Sequence, residues 1–346
     1  MKNKEYGSDF EYIQTEIFYL KDKTESLFYG NQFSLFFSGR VALYNILKQG
    51  IEQKKWQQVY LPSFYCHEVT HYLKDLPVII SYYEFNPFLD DPTNLLEIDD
   101  VDSNVIINVD FYGIKKLDLK EFHHAILIED ITHNLLSFKD SAAHYCFGSL
   151  RKELPVPVGG FCFSPKGLML PKGKPSLESE EIAAQKLSAM FLKSLYLKGE
   201  WDDKELFRKL YSDGEDKFYK QFTNTVMPEI AQSVLFSIES VALLQKKSIN
   251  IHAALKNIKQ SKELEINIQS PKFNVFGIIL KCKDLETRNK LRAHLVQNRI
   301  YPAVLWPNQI STRDIEIENK ILFLHVDYRY SLSDIEHITN IINEFI

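Results

Sequence analysis

The sequence predicts an α/β fold, with a mainly parallel sheet in a large domain and a smaller α/β domain at the C-terminus. Through the first half of the chain, short apolar segments alternate with segments of helix length, a pattern typical of βαβ units. A second alternation of strand-like and helix-like segments ends the chain. The 346 residues also exceed what one hydrophobic core usually organises. We therefore expect a large domain over residues 1–235 and a small domain over 236–346.

The predicted elements of the large domain begin with a helix over residues 41–51, opened by Ser38-Gly39. Short apolar segments predict six strands, over residues 58–61, 77–82, 104–109, 125–128, 145–149 and 160–163. Helical patterns follow over 178–197 and 229–245, and then a charged, helix-like stretch over 246–263. The C-terminal part is predicted as strand 273–281, helix 285–298, strand 321–326 and helix 333–346.

Composition excludes several classes of protein. Lys and Arg total 41 against 46 Asp and Glu, for a net charge of -5, so nothing favours nucleic acid or an anionic membrane as a partner. No apolar run approaches the roughly 20 residues that span a bilayer, and the N-terminus lacks a signal-peptide pattern, so we expect a cytoplasmic protein. The four cysteines form no paired motif, and the histidines have no metal-binding spacing, so we expect neither disulfides nor a metal.

Ser38-Gly39-Arg40, at the start of the first helix, is a candidate phosphate site. A helix N-terminus exposes unpaired backbone N–H groups and the positive end of the dipole. Gly39 would let the backbone approach an anion closely. The alternative is that Ser38 only caps the helix and Arg40 is a surface charge.

Asp130 directly follows the apolar segment 125–128. A carboxylate at the buried end of a strand needs a cationic partner, because otherwise its pKa rises and it becomes neutral. A protonated pyridine nitrogen is one such partner. A cap on the next helix, or a salt bridge to a nearby Lys or Arg, is the alternative.

Lys152, in Ser149-Leu150-Arg151-Lys152, is a candidate for Schiff-base chemistry, which needs a partly desolvated lysine near positive charge. The Ser-x-x-Lys pattern alone is weak. Its order and spacing strengthen it: Asp130 precedes Lys152 by 22 residues, and Gly159-Gly160 follows at seven and eight residues.

Together these segments resemble the DegT/StrS-type aminotransferases, a branch of the fold-type-I enzymes that use pyridoxal 5′-phosphate (PLP). Residues 38–43 (SGRVAL) resemble the family's SGT-x-AL turn, and residues 61–66 (LPSFYC) its VP-x-x-T-W segment. Residues 128–133 (IEDITH) are similar to its ED-A-A-H/Q segment, and residues 222–227 (FTNTVM) to GYN-x-x-M. The distance from Lys152 to the double glycine is also the family's.

The resemblance implies a fold-type-I fold, PLP as cofactor and a role for each matching residue. Lys152 would carry PLP as a Schiff base and move the proton, Asp130 would hold the pyridinium, and His133 would lie near the ring hydroxyl. The phosphate would be held by Ser38, Gly39, Arg40, Ser149 and, from the other subunit of a homodimer, Asn224. The ring-stacking aromatic of the family aligns with Cys66, so that stacking falls to Tyr65 or is absent.

The implied reaction moves an amino group from an amino acid, with glutamate as the expected donor, to a keto sugar, either free or linked to a nucleotide. Arg329, which follows the predicted strand 321–326, is a candidate clamp for a substrate carboxylate or phosphate. Trp306 and Tyr112 are candidates for the substrate pocket. Each of the three has a structural alternative: a salt bridge for Arg329 and core packing for the aromatics. Two other functions stay open, a PLP enzyme acting on a small keto substrate and a non-catalytic protein with the same fold.

Overall fold

A computed structural model describes residues 3–13, 26–88, 98–218, 222–266 and 275–346, and it confirms the predicted α/β fold. Seven strands form the large sheet: β1 (Ser34–Phe36), β2 (Gln58–Pro62), β3 (Ile79–Tyr83), β4 (Asn104–Val109), β5 (Ile126–Asp130), β6 (Tyr145–Ser149) and β7 (Gly160–Phe163). The prediction gave β4, β6 and β7 with these bounds, and β2, β3 and β5 to within two residues. It missed β1.

The large sheet is mainly parallel, with the strand order β1-β7-β6-β5-β4-β2-β3. Strands β2 to β6 pair in parallel, whereas β7 is antiparallel to both β6 and β1. The segment between β6 and β7 is shorter than the dozen or so residues that a parallel crossover needs, so the chain turns back on itself there. The carboxyl ends of β2, β4 and β5 therefore meet at one edge of the sheet.

Nine helices are present among the described residues: α1 (Gly39–Lys54), α2 (His67–Tyr72), α3 (Leu177–Lys198), α4 (Lys204–Phe218), α5 (Glu229–Phe236), α6 (Ser240–Asn257), α7 (Leu285–Gln297), α8 (Thr312–Glu318) and α9 (Leu332–Phe345). The single helix predicted over 229–245 is wrong, because the chain breaks at residues 237–239 into α5 and α6. The hydroxyl of Ser240, the first residue of α6, accepts a hydrogen bond from the Leu27 N–H, a contact that the local sequence cannot reveal. None of the described helices is both long enough and apolar enough to cross a membrane.

A second sheet contains β8 (Leu264–Ile266), β9 (Ile278–Cys282) and β10 (Ile321–Leu324) in the order β10-β9-β8, and all its pairs are antiparallel. It packs with α6, α7 and α9 around its own core, which includes Ile251, Leu280, Leu291, Leu322 and Ile338. The larger core contains the buried residues of the seven-stranded sheet together with those of α1. The predicted domain boundary at residue 236 remains a prediction.

Candidate active site

Three parallel strands of the large sheet place polar and aromatic side chains at its carboxyl edge. Tyr65 follows β2, Tyr112 follows β4, and Asp130 ends β5 with His133 just beyond. The Tyr65 hydroxyl donates to Asp130 Oδ2 at 2.6 Å, and the Tyr112 N–H donates to His133 Nδ1 at 3.3 Å. The Trp306 ring stacks near that of His133, with ring centres 5.1 Å apart. The structure thus brings together five residues that the sequence singled out.

Asp130 is a buried carboxylate that forms no ion pair with any residue the structure describes. Its Oδ1 accepts from the Thr132 N–H at 3.0 Å, and its Oδ2 accepts from Tyr65. Burial raises the pKa of Asp130, while the hydrogen bonds from Thr132 and Tyr65 act against that shift. A cation of the right shape would therefore find an uncompensated negative charge here.

The turn predicted to hold a phosphate begins α1. Ser38 caps the helix, because its hydroxyl accepts from the Val41 N–H at 3.3 Å. The backbone of Gly160 packs directly on this turn, so closely that a Cβ on Gly160 would lie 2.1 Å from the Ser38 carbonyl carbon and 2.2 Å from Gly39 N. The double glycine after Lys152 therefore has a structural reason: any larger residue at 160 would push the turn away.

We expect Gly160→Ala to destabilise the protein by about 3 kcal/mol or more, the upper range for overpacking a rigid site. Gly30→Ala is the matched control, because no atom lies within 4 Å of its added Cβ. The control should cost only about 1 kcal/mol, since Gly30 has a φ of +74°. Urea unfolding of both variants measures the difference, and equal losses would show that the Gly160 contact is not tight.

The other predicted phosphate ligands lie around the same turn. The Arg40 guanidinium packs against the Tyr72 and Phe218 rings, 5.5 and 4.9 Å from their centres, and donates to the Phe218 carbonyl. The Ser149 N–H donates to Thr132 Oγ1 at 3.1 Å. Asn224 Oδ1 is buried, with no hydrogen-bond partner among the described residues.

Lys152 ends a short 3₁₀ helix, Leu150–Lys152, and lines a cavity of about 140 Å³ that we call the inner cavity. Its side chain is accessible from the cavity, and Nζ forms no hydrogen bond or ion pair with any described residue. Burial lowers the pKa of Lys152, and the neighbouring charge of Arg151 lowers it further. Burial also raises the pKa of the nearby Cys66 thiol, an effect that the positive charge of Lys152 opposes.

A charged cluster on the wall of the inner cavity was not predicted from the sequence. The Glu215 carboxylate on α4 contacts both Arg151, at 3.1 Å, and Lys186 on α3. The Phe218 ring lies under both cations, with Arg151 Cζ 4.4 Å and Lys186 Nζ 5.0 Å from its centre. No local pattern could have revealed this cluster, since α4 was not predicted and its members come from three separate segments.

Arg329 also lines the inner cavity, but its guanidinium is fully engaged. Asp327 accepts from Nε and Nη2 at 2.9 and 2.8 Å, and Nη1 donates to the carbonyls of Ser8 and Asp9 and to Glu11. The N-terminal segment is held in turn by Lys193, whose Nζ donates to Ser8 Oγ at 2.9 Å. A substrate acid could reach Arg329 only by displacing this segment, so its clamp role stays a prediction.

A second cavity of about 580 Å³, the outer cavity, adjoins the first. The two share Ser8, Asp9, Tyr211 and Glu215. The outer cavity is further lined by two aromatic rings, by three cations and by the carboxylate that pairs with Lys204, namely Phe207, Tyr301, Lys193, Lys204, Arg208 and Glu5. Lys152 therefore lines the smaller part of a two-part space whose outer part is several times larger.

Glu153, next to Lys152, forms a buried ion pair at 2.5 Å with Lys247 on α6. Burial raises the pKa of Glu153 from its usual 4.5 to about 7, although Lys247 opposes the shift. The folded state then binds the proton more tightly than the unfolded state, so the free energy of unfolding should fall as pH rises from 4.5 to 7.

We expect this group to contribute a loss of about 3 kcal/mol over that interval. Glu153→Gln should remove this part of the pH dependence, whatever its effect at a single pH. Urea unfolding of both proteins at pH 5 and pH 8 checks it. The same pH dependence in both would contradict the raised pKa.

Comparisons with known proteins agree with the fold. No protein-family model matches the chain, and no curated protein matches it. Among solved structures, PseC of Helicobacter pylori, an aminotransferase involved in the biosynthesis of pseudoaminic acid, aligns with a TM-score of 0.62 at 12% identity, covering 99% of both chains. A DegT/DnrJ/EryC1/StrS aminotransferase of Brucella abortus gives 0.58 at 14%, covering 95% of this chain and 91% of its own. The chain has the fold of the sugar aminotransferases. NtdA of Bacillus subtilis, solved with its cofactor PMP, gives 0.62 at 12%, covering 95% and 78%.

Proposed function

We propose that the chain is a PLP-dependent aminotransferase that transfers an amino group from an amino acid, with glutamate as the expected donor, to a keto sugar. The observation that carries the proposal is the lysine in the wall of the inner cavity. Lys152 has an amine without a partner among the described residues, and its pKa is lowered. Such an amine can attack a carbonyl carbon, which an ordinary charged surface lysine cannot.

The residues present fit PLP at both of its ends. Asp130 offers a buried carboxylate that lacks a cation among the described residues, as a pyridinium would require. The Ser38-Gly39 turn offers a helix N-terminus to a phosphate, and the glycine at 160 lets the lysine segment pack against it. When bound, PLP supplies an electron sink for carbon–nitrogen chemistry.

The chain's own side chains then have separate tasks. Lys152 would hold the cofactor's carbonyl carbon and, once released from it, carry the proton that the substrate gives up and regains. Asp130 would keep the pyridine nitrogen protonated. His133 is kept neutral by burial, which lowers its pKa well below the usual value, so it can accept or donate a hydrogen bond without adding charge. The Tyr112, His133 and Trp306 rings would exclude water from this side.

A sugar acceptor is favoured by the size of the space in front of Lys152. The inner cavity has a volume of about 140 Å³, and the adjoining outer cavity adds about 580 Å³. Aromatic rings on the outer wall would suit stacking by the base of a nucleotide-linked acceptor. CalS13 of Micromonospora echinospora, which shares the fold, is a sugar aminotransferase. An acceptor no larger than a keto acid remains the second candidate, because such a substrate would need only the inner cavity.

We also propose a homodimer with a shared active site, because Asn224 is similar to the residue that reaches across the subunit interface in the family. Sedimentation equilibrium tests the assembly. A dimer that binds PLP about tenfold more tightly than the monomer present at high dilution would support sharing. A monomer that binds PLP fully would contradict it.

The proposed function is tested first by absorbance spectroscopy of the purified chain with PLP, before and after glutamate. A violet absorbance band of lysine-bound PLP that bleaches with glutamate, with 2-oxoglutarate formed, is the expected result. Keto sugars and keto acids are then offered to the aminated protein, and the acceptor that restores the band identifies the substrate class. A protein that stays colourless would be a non-catalytic relative with the same fold.

A further inference from the structure

The cations beside Lys152 are not balanced by the carboxylate that they share. Arg151 and Lys186 both contact Glu215, at 3.1 Å for Arg151, so the cluster carries one net positive charge. Lys186 is only 3% exposed, and Arg151 Nε is buried without a hydrogen-bond partner among the described residues. All three side chains line the inner cavity with Lys152. A half-buried, undersatisfied guanidinium and a buried ammonium favour a second acid group.

The pKa values of Lys186 and Glu215 are both shifted by burial and by the neighbouring charges. Burial, together with the charge of Arg151, lowers the pKa of Lys186 to about 8. Burial would raise the pKa of Glu215, but Arg151 and Lys186 more than reverse this and bring it to about 2. Glu215 is therefore ionised at neutral pH and occupies the position in which another carboxylate could bind.

The alternative cation of the inner cavity is less available. Every nitrogen of the Arg329 guanidinium already donates to Asp327 or to the N-terminal segment. Arg151, by contrast, donates only through Nη1, to Glu215, among the residues that the structure describes. An incoming acid would exchange with one side chain at the cluster, whereas at Arg329 it would have to displace a backbone segment.

We propose that Arg151 and Lys186 form the subsite for the acid group of the amino donor, and that Glu215 fills this subsite until the donor displaces it. This inference rests on the proposed amino transfer. Glu215 acts as an internal competitor: it occupies both cations when no donor is present, and it lines both cavities. The two cations would bind any anion of suitable size. The cofactor phosphate is therefore the alternative ligand to the acid group of the donor.

The test uses glutarate, a dicarboxylate that has neither an amino nor a keto group, titrated calorimetrically into the full chain with and without PLP. Arg151→Gln should weaken glutarate binding about tenfold or more, since a charge-assisted hydrogen bond is lost, and Arg151→Lys should restore part of it. Glu215→Gln should tighten binding about tenfold, because the competing charge is gone. Arg292→Gln and Glu286→Gln, which change exposed side chains on α7, serve as controls and should leave binding unchanged.

Equal glutarate affinity in all variants, or weaker binding to Glu215→Gln, would overturn the proposal. To separate the two anion sources, the same variants are titrated with PLP and with pyridoxal, which lacks the phosphate. If Arg151→Gln weakens PLP but neither pyridoxal nor glutarate, the subsite belongs to the cofactor phosphate and the donor assignment is wrong. Glutarate binding requires no amino transfer, so the expected pattern in a protein that does not consume glutamate would leave the subsite standing while the proposed function fell.

Discussion

Lys152→Ala is expected to abolish the violet absorbance of lysine-bound PLP and to lower amino transfer by about 10³-fold or more. A single residue has two tasks in the proposed reaction, attachment and proton transfer, and general acid–base catalysis alone is worth roughly 10²- to 10⁴-fold. The structure supports a large effect, because the Lys152 amine lines the inner cavity and its charge is disfavoured by burial. Absorbance with PLP and single-turnover rates with glutamate measure the two tasks separately.

Lys290→Ala, at an exposed position on α7 where Lys290 pairs with Glu286, is the control and should leave both measurements unchanged. The Lys152 variant should still bind PLP weakly, since the helix N-terminus and Asp130 remain. An unchanged spectrum would move the attachment to another amine of the inner cavity, and Lys186 would be the next candidate. Added methylamine should restore part of the activity, because a free amine can replace the missing proton carrier.

Much of the large sheet could be predicted because most of its strands are recognisable from their own short sequences. Strands β4, β6 and β7 are short apolar runs with polar or glycine boundaries, and their predicted bounds match those of the structure. Strand β1 could not be predicted, because it has three residues and is stabilised by pairing with β7, more than 120 residues away. The break between α5 and α6 could not be predicted either, because the apolar periodicity continues through it. The Leu27 N–H, which hydrogen-bonds to Ser240 at the start of α6, is distant in sequence.

In the candidate site, too, features of the local sequence could be predicted, whereas contacts between distant segments could not. The buried position of Asp130 at the end of a strand could be predicted, because the carboxylate directly follows an apolar segment. Its role toward a cofactor stays a prediction. The Glu215 contact with Arg151 and Lys186 could not be predicted, because residues 29 and 64 apart in the chain meet only in the tertiary structure. The contacts of Arg329 could not be predicted either, because its partners Ser8 and Asp9 lie more than 300 residues away in sequence.

Asp130→Asn is expected to lower amino transfer by about 10²- to 10³-fold while leaving the unliganded protein at least as stable. The amide keeps the size of the carboxylate but removes the charge that would hold the pyridine nitrogen protonated. Breaking a buried ion pair costs roughly 3–5 kcal/mol, and each 1.36 kcal/mol corresponds to about tenfold in rate. The amide's own hydrogen bonds offset part of that cost. The expected loss of rate therefore corresponds to the lower part of this free-energy range.

Stability separates this role from a structural one. Burial raises the pKa of Asp130, so the folded state holds the proton more tightly than the unfolded state, and ionisation of this group destabilises the fold above its ordinary pKa. Removing the charge should therefore not lower the free energy of unfolding at pH 7, measured in urea without PLP. Asp118→Asn, at an exposed position, is the control for both measurements. If the free energy of unfolding and the rate of amino transfer both fell in the Asp130 variant, the carboxylate would have a structural role, holding Tyr65 and Thr132 in place, and not a cofactor-binding one.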